Sequence, residues 1–365
     1  MSKKGLNIYK RKDNRWEGRF FNGRYKNGRK QYSSVYGNSY IQTKEKLISK
    51  IAASNEYPTA VSFEICSEHW LSDAEQRVKR STFANYRFLL EKHIKPYFRS
   101  IKMHNLTNAD IERFKNAKLR SGKLKRSGGL SKKYVKDIIL IIKQIAAYAE
   151  LHYNIPDRIR NTIPIKPDHR EINVLKPEEK KRLTKHLIDQ CDPMNAGILI
   201  SLYTGLRLGE VCGLQWGDFD EDAAVIHVRR TVQKISDGHG GTMLLSDLPK
   251  SRSSMRIVPL PDFLTKILTE IKSSNDSVSV ITGTLNFPEP AALRKSFKTA
   301  LRICKIRNMR YHDLRHTFAS DCVRLGFDIK ALSGLLGHSS AAMTLDRYAH
   351  TSLETKQMYM KRITI

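Results

Sequence analysis

The chain has 365 residues, room at about 150 residues per folding unit for two or three domains, each with its own core. Its 65 Lys and Arg outnumber its 36 Asp and Glu by 29, a surplus that points to a polyanionic partner, either nucleic acid or an acidic membrane surface. The basic N-terminus is followed by no apolar stretch, and apolar runs such as residues 138–142 are far too short to span a bilayer, which argues against a secreted or membrane-integral protein. Cys66, Cys191, Cys212, Cys304 and Cys322 are scattered without a C-x-x-C pair, so neither a disulfide framework nor a zinc knuckle is expected, and a reducing cytoplasm fits.

The charge is uneven. Residues 1–60 carry 14 Lys and Arg against 4 Asp and Glu, residues 61–170 carry 23 against 11, and residues 171–365 carry 28 against 21. The N-terminal half thus has the charge density of a phosphate-tracking surface, and the C-terminal half is closer to an ordinary globular enzyme.

Between Asn7 and Gly37, aromatic and basic residues alternate between the turn signals Asp13-Asn14, Asn22-Gly23 and Asn27-Gly28, which predicts three short antiparallel strands. In the middle strand Trp16, Gly18 and Phe20 share the packing face, while Arg15, Glu17, Arg19 and Phe21 share the other. Ile41, Leu47, Ile48 and Ile51 have helical spacing and are expected to cover the apolar side. This reads as a small basic domain; its basic face is either merely solvated or a DNA-binding surface, since strands as well as helices enter a major groove. Arg15, Arg19, Arg24 and Lys26 are the candidate DNA contacts.

From residue 61 the pattern turns helical. Phe83, Tyr86, Leu89, Leu90 and Ile94 keep a 3.6-residue period up to Pro96, which is expected to end that helix. Thr107-x-x-Asp110 is a helix start, and Val135, Ile138, Ile139, Ile142, Ile145 and Ala149 line another apolar face. Pro156, Pro164 and Pro167 lie among charges without apolar periodicity, so residues 154–172 read as a linker. Beyond Val174 the element types mix: a helix from Pro177 to about Gln190, one or two more over 194–214, strands over 224–233, 242–248 and 255–259 with a Gly-rich turn between the first two, then mainly helices to the end. The chain is therefore expected to be multidomain: a three-stranded β-sheet plus helix (1–58), an all-α domain (61–153), the linker, and a mainly helical α+β domain with a small antiparallel sheet (173–365).

Four stretches of the last region carry chemistry. Thr204-Gly205-Leu206-Arg207-Leu208-Gly209-Glu210 sets an arginine beside a glycine turn. His312-Asp313-Leu314-Arg315-His316-Thr317 places a histidine and an arginine at i and i+3, on one helix face. Leu336-Gly337-His338 sets a histidine just past a helix end, and Arg347-Tyr348 follows ten residues later.

These motifs, in this order, resemble those of the tyrosine recombinases: the integrases of phages and conjugative transposons and the chromosome-dimer resolvases. T-G-L-R-L-G-E resembles the family's first-arginine motif, H-D-L-R-H-T its H-x-x-R motif, L-G-H its second histidine, and R-Y its nucleophile. The resemblance implies that Arg207, His312, Arg315, His338 and the nucleophile Tyr348 are catalytic, with Glu210 as a supporting acid. It places a catalytic lysine on a β-hairpin, where Pro249-Lys250-Ser251 matches and Lys250 is the choice; Lys234, Arg252 and Arg256 flank the same hairpin and stay open as alternatives. Residues 61–153 resemble the helical, SAM-like core-binding domain and residues 1–58 the arm-binding domain of integrases. It further implies site-specific recombination through a 3′-phosphotyrosyl intermediate and a Holliday junction, on core-type and arm-type sites in double-stranded DNA. A homo-tetramer on DNA, an excisionase, a host DNA-bending protein and a bacterial, nucleoid-associated location are implied with it, without cofactor, metal or membrane.

The residue types make chemical sense apart from the name. Anionic oxygens shield a phosphodiester from nucleophiles, and two guanidiniums can hold both nonbridging oxygens as charge builds. A tyrosine hydroxyl, with a pKa near ~10, needs a fixed phosphate, an acceptor for its proton and a protonated leaving oxygen; His312 suits the second need and Lys250 the third. A covalent phosphotyrosyl stores the ester energy, so neither ATP nor Mg²⁺ is expected to be required. His316, His350 and Tyr359 are read as incidental. Three other readings stand beside this one: a zinc hydrolase using His312 and His316, which has Asp313 where such a motif needs Glu; a non-catalytic DNA-binding regulator; and a type IB-like topoisomerase.

Overall fold

The computed structural model describes residues 7–24, 30–54, 61–124, 127–166, 172–237, 241–247, 255–338, 340–348, 357 and 360–361. The chain divides into two compact units, Met1–Asp168 and His169–Ile365.

The first unit opens with β1 (Ile8–Lys10), β2 (Trp16–Arg24) and β3 (Lys30–Gly37), paired antiparallel in the order β1-β2-β3. Asn14 turns the chain between β1 and β2 at φ 65°, a conformation asparagine tolerates better than most residues. Asn22-Gly23, expected as a turn, lies instead inside β2, where the register shifts between Phe21 and Arg24. A bulge uses the same backbone freedom as a turn, and the sequence signal does not separate them. The reversal into β3, with Asn27-Gly28, falls outside the described residues.

Helix α1 (Tyr40–Ser54) covers the sheet, with Leu47 fully buried against Phe20 and Val35. A Cβ on Gly18 would meet Leu47 at 3.0 Å, so glycine lets the helix sit close. Ile41, expected on the covering face, is exposed, and Thr43 is buried in its stead. Residues 43 and 47 are one turn apart, whereas 41 points about 200° away from 43.

The helical part comprises α2 (Phe63–Arg77), α3 (Arg80–Leu89), a π-helical turn (Leu90–Ile94), α4 (Lys95–Phe98), α5 (Asn108–Ser121) and α6 (Lys132–Tyr153). Pro96 does not end its helix. The π turn widens the coil just before it, Lys95 N–H bonding back to the Leu90 carbonyl, and the chain adds another helical turn; widening spares the proline ring its clash with the carbonyl four residues back. Thr107 and Asp110 form a reciprocal capping box at α5. Ile138, Ile142 and Ile145 of α6 are fully buried, and truncating any one to Ala costs about 2–5 kcal/mol. Ile155 and Ile159 are buried in the same core, so the start of the segment read as a linker is packed down.

The second unit is built around α8 (Pro193–Thr204), whose Ile198, Leu199, Ile200 and Leu202 are all fully buried. A helix apolar on every side is a central helix, and α7 (Pro177–Asp189), α10 (Asp262–Ile271), α11 (Pro290–Ile303) and α12 (Asp313–Arg324) pack around it. Between α8 and α10 the described residues form α9 (Leu208–Cys212) and five strands: β4 (Phe219–Asp220), β5 (Val225–Val228), β6 (Thr231–Ser236), β7 (Thr242–Asp247) and β8 (Arg256–Pro259). The strand expected over 224–233 is two strands in different sheets, β4-β5-β8 and the hairpin β6-β7. The break falls at Arg229 and Arg230, both of which turn to pair with the buried carboxylate of Asp218. Helices α13 (Ile329–Leu336) and α14 (Ala341–Tyr348) follow. Among the described residues no helix is long and apolar enough to cross a membrane.

Candidate functional site

Helix α8 stops at Gly205, which adopts φ 68° and carries no Cβ to strike Phe318, 2.5 Å from where one would sit. The chain then reverses and Arg207 precedes α9. Glu210, in the first turn of α9, accepts from the Arg207 backbone N–H at 2.9 Å and from its Nη1 at 2.8 Å. Arg207 Nη2 donates to the Gly337 carbonyl at 3.1 Å. Its side chain remains 37% exposed, against 3% for Glu210.

His312 stands exposed at the start of α12, and its ring meets that of His316 edge-on at 4.8 Å. Asp313 is buried, held by the Arg310 backbone N–H at 2.8 Å and by Arg310 Nη2 at 2.9 Å. Arg315, also buried, sends Nη1 to the Gly205 carbonyl at 2.9 Å and Nη2 to the Leu336 carbonyl at 2.7 Å. Arg207 and Arg315 therefore converge on the last turn of α13, which Gly337 closes at φ 62° with His338 N–H returning to the Ser333 carbonyl. His338 Nδ1 lies 2.8 Å from the hydroxyl of buried Thr344 on α14. Tyr348 is the last residue of α14, one helical turn beyond Thr344; its side chain, like that of Arg347, lies outside the described residues.

Two residues of this cluster escaped sequence reasoning. Arg256, left open as an alternative to Lys250 but with no partner foreseen, is 7% exposed and grips both oxygens of Glu210, at 3.2 and 2.9 Å. Its Nε donates to the Leu335 carbonyl at 2.6 Å. Thr344 carries no motif at all. Burial pushes the Glu210 carboxyl up, but the hydrogen bonds and charge of Arg256, with the charge and N–H of Arg207, outweigh it and hold the group below the usual carboxylate range. Lys250 and Arg252 fall outside the described residues, and Lys234 pairs with Glu289 at 2.7 Å. Tyr311 is buried and hydrogen-bonds Ser201 at 2.6 Å, and burial pushes its hydroxyl up.

On the sheet, Glu17 lies on the face assigned to basic residues, yet is only 2% exposed. It accepts from Arg19 Nε at 2.8 Å, Ser34 Oγ at 2.7 Å and Arg11 Nη1 at 2.8 Å. Led by the Arg19 bond, with Ser34, Tyr9 and Arg11 overriding the cost of burial, these hold its carboxyl down at about 2. Arg19 lies over the Tyr9 ring at 5.4 Å, and Arg11 and Arg15 over that of Tyr36 at 5.5 and 5.8 Å. Of the other candidate contacts, the Arg24 side chain and Lys26 fall outside the described residues. Among the described residues no group of three or more His, Cys, Asp or Glu is placed to hold a metal ion.

Known proteins resemble this chain in sequence and in fold. The phage integrase family model matches residues 173–355, and that of the phage integrase N-terminal SAM-like domain matches residues 62–119. A tyrosine recombinase XerC-like protein of Caldanaerobacter subterraneus is 25% identical over 314 residues, covering 77% of each chain. The ICEBs1 integrase of Bacillus subtilis is 24% identical over 306 residues, covering 80% of this chain and 79% of its own. The fold is shared with the Tn1549 transposon integrase bound to transposon right-end DNA (TM-score 0.62, 21% identity, 82% of this chain and 99% of that one). It is also shared with a lambda integrase dimer bound to a COC′ core site (TM-score 0.59, 14% identity, 96% and 98%). The chain belongs to the phage integrase family. It is a tyrosine recombinase, an enzyme that cuts and rejoins DNA in the site-specific recombination of a mobile element.

Proposed function

We propose that Tyr348 attacks a phosphodiester held by Arg207 and Arg315. The phenolic oxygen bonds to phosphorus as the bond to the 5′ oxygen breaks, giving a 3′-phosphotyrosyl enzyme and a free 5′-hydroxyl. His312 takes or positions the tyrosine proton, Lys250 gives a proton to the leaving oxygen, and His338 and Glu210 orient the arginines and phosphate. The two guanidiniums carry the growing charge on the nonbridging oxygens. Because the ester energy is kept, the 5′-hydroxyl of another strand reverses the step and yields a Holliday junction. The observation that carries this reading is the convergence of Arg207 and Arg315 on consecutive carbonyls at the end of α13, with the helix bearing Tyr348 tied to the same loop through His338 and Thr344.

Residues 173–365 form the catalytic domain, 61–153 the core-site domain, 154–172 the linker, and 1–58 an arm-site domain reading DNA through Arg15, Arg19, Arg24 and Lys26. The assembly is a tetramer on DNA, as a lambda integrase tetramer is on a Holliday junction; an excisionase and a host bending protein set its direction on the bacterial nucleoid. Duplexes spanning the joined ends of the element that encodes the chain, each with one nick, test the chemistry. The wild-type protein should form a detergent-resistant adduct in excess EDTA, and Tyr348→Phe should bind the same duplex without forming one. Abolition by EDTA, restored by Mg²⁺ or Zn²⁺, would contradict the mechanism.

A further inference from the structure

The last carbonyls of a helix have no partner within it. At the end of α13 the amides of Gly337 and His338 turn back to Gly334 and Ser333, which leaves the Leu335, Leu336 and Gly337 carbonyls to be satisfied from elsewhere. Each accepts from a different arginine: Leu335 from Arg256, Leu336 from Arg315 and Gly337 from Arg207. Cations are favoured at this end of a helix dipole. The three differ in exposure. Arg207 keeps an open flank, whereas Arg256 is enclosed and spans two parts of the unit, with Nη1 and Nη2 on Glu210 and Nε on α13.

We propose that Arg256 is a positioning residue of the recombination reaction, locking the Arg207–Glu210 turn to the end of α13 so that Arg207, Arg315 and His338 present one fixed geometry to the phosphate. It does not touch the phosphate. Arg256 opens β8, six residues after Lys250 in the chain, so the same lock fixes the strand that leaves the segment carrying the lysine. Only a planar fork can engage both carboxylate oxygens and the carbonyl together; a lysine supplies the charge without that geometry. The proposal rests on the reading of Arg207 and Arg315 as the phosphate-holding pair.

The test uses the full chain and the nicked duplexes above, comparing wild type, Arg256→Lys, Arg256→Gln and, as a control on the reading itself, Arg207→Lys. With enzyme in excess, Arg256→Lys should form the covalent adduct on the order of 100-fold more slowly, the size of effect expected of roughly 1 Å of misplacement at a reacting centre. Its duplex affinity should stay within about threefold, because the charge is kept. Without DNA, the Gly337 and His338 amides should exchange hydrogen about tenfold faster in Arg256→Gln, reporting a loosened helix end. Wild-type rates in both Arg256 variants, or a lysine variant that restores the rate lost by the glutamine variant, would overturn the proposal. Unchanged amide exchange would also overturn it. If wild type forms no adduct, or Arg207→Lys forms it at the full rate, the phosphate-holding reading fails first and takes the proposal with it.

Discussion

Glu17 on the N-terminal sheet and Glu210 in the first turn of α9 each gather two arginines, and their surroundings give the two clusters different work. Both carboxylates are covered, but the partners of Glu17 are not: Arg11 and Arg19 are 39% and 50% exposed and lie over tyrosine rings. Around Glu210 the fork of Arg256 is enclosed and its third bond goes to a helix end. Exposed pairs are worth about 0–1 kcal/mol and are screened by salt, whereas removing one partner of a buried pair costs about 3–5 kcal/mol. The same pairing thus builds an adaptable charged face in one place and a rigid clamp in the other. A polyanion surface tolerates small shifts of each cation. A transition state does not.

Four perturbations would break or sharpen this contrast, taken from the largest effect down. Arg315→Lys keeps a charge in the clamp but cannot bridge the Gly205 and Leu336 carbonyls, so single-turnover cleavage should fall by about 10²–10³-fold, as for losing a transition-state donor; a loss under tenfold would mean the clamp is not rigid. Glu210→Ala should destabilise the second unit by about 3–5 kcal/mol, measured by denaturant unfolding, because it leaves Arg256 buried without its carboxylate.

Third, removal of residues 1–55 should flatten the salt dependence of binding to DNA carrying both site types, the log–log slope changing by about 0.9 for each phosphate that the protein then leaves unneutralised, and depress recombination of full sites far more than cleavage of a short crossover duplex. Equal loss of both activities would assign the sheet to the catalytic clamp instead. The smallest effect is expected at Glu17. Its folded-state carboxyl lies below the unfolded value, so the stability it gives is present above 4.5 and is lost as pH falls through about 2. Glu17→Gln should flatten that acid limb in a melting series and lose the same stability at neutral pH, a loss kept small by the exposure of Arg11 and Arg19; a loss at pH 7 as large as that of Glu210→Ala would show that the two glutamates are not as different as their surroundings suggest.

Much of the fold was legible because periodicity survives packing: the apolar face of α6 and the capping box of α5 stand in the structure as the residues imply. What was not legible depends on tertiary partners. Asn-Gly serves a bulge as well as a turn, Pro96 follows a π turn that no propensity encodes, and the split between β5 and β6 is made by Asp218 drawing two arginines out of line. In the site, Arg207, Glu210 and Arg315 come together from short motifs. Arg256 is 46 residues from Glu210, and a single arginine in a strand carries no signal of so distant a partner; Thr344 is only six residues from His338, but a lone threonine in a helix does not announce that its hydroxyl faces a ring.

The most direct test is to digest the trapped covalent complex and identify by mass spectrometry which residue carries the nucleotide. The account predicts the peptide containing Tyr348, linked through its phenolic oxygen to a 3′ phosphate. Nucleotide on Tyr359, or on any serine or histidine, would contradict it.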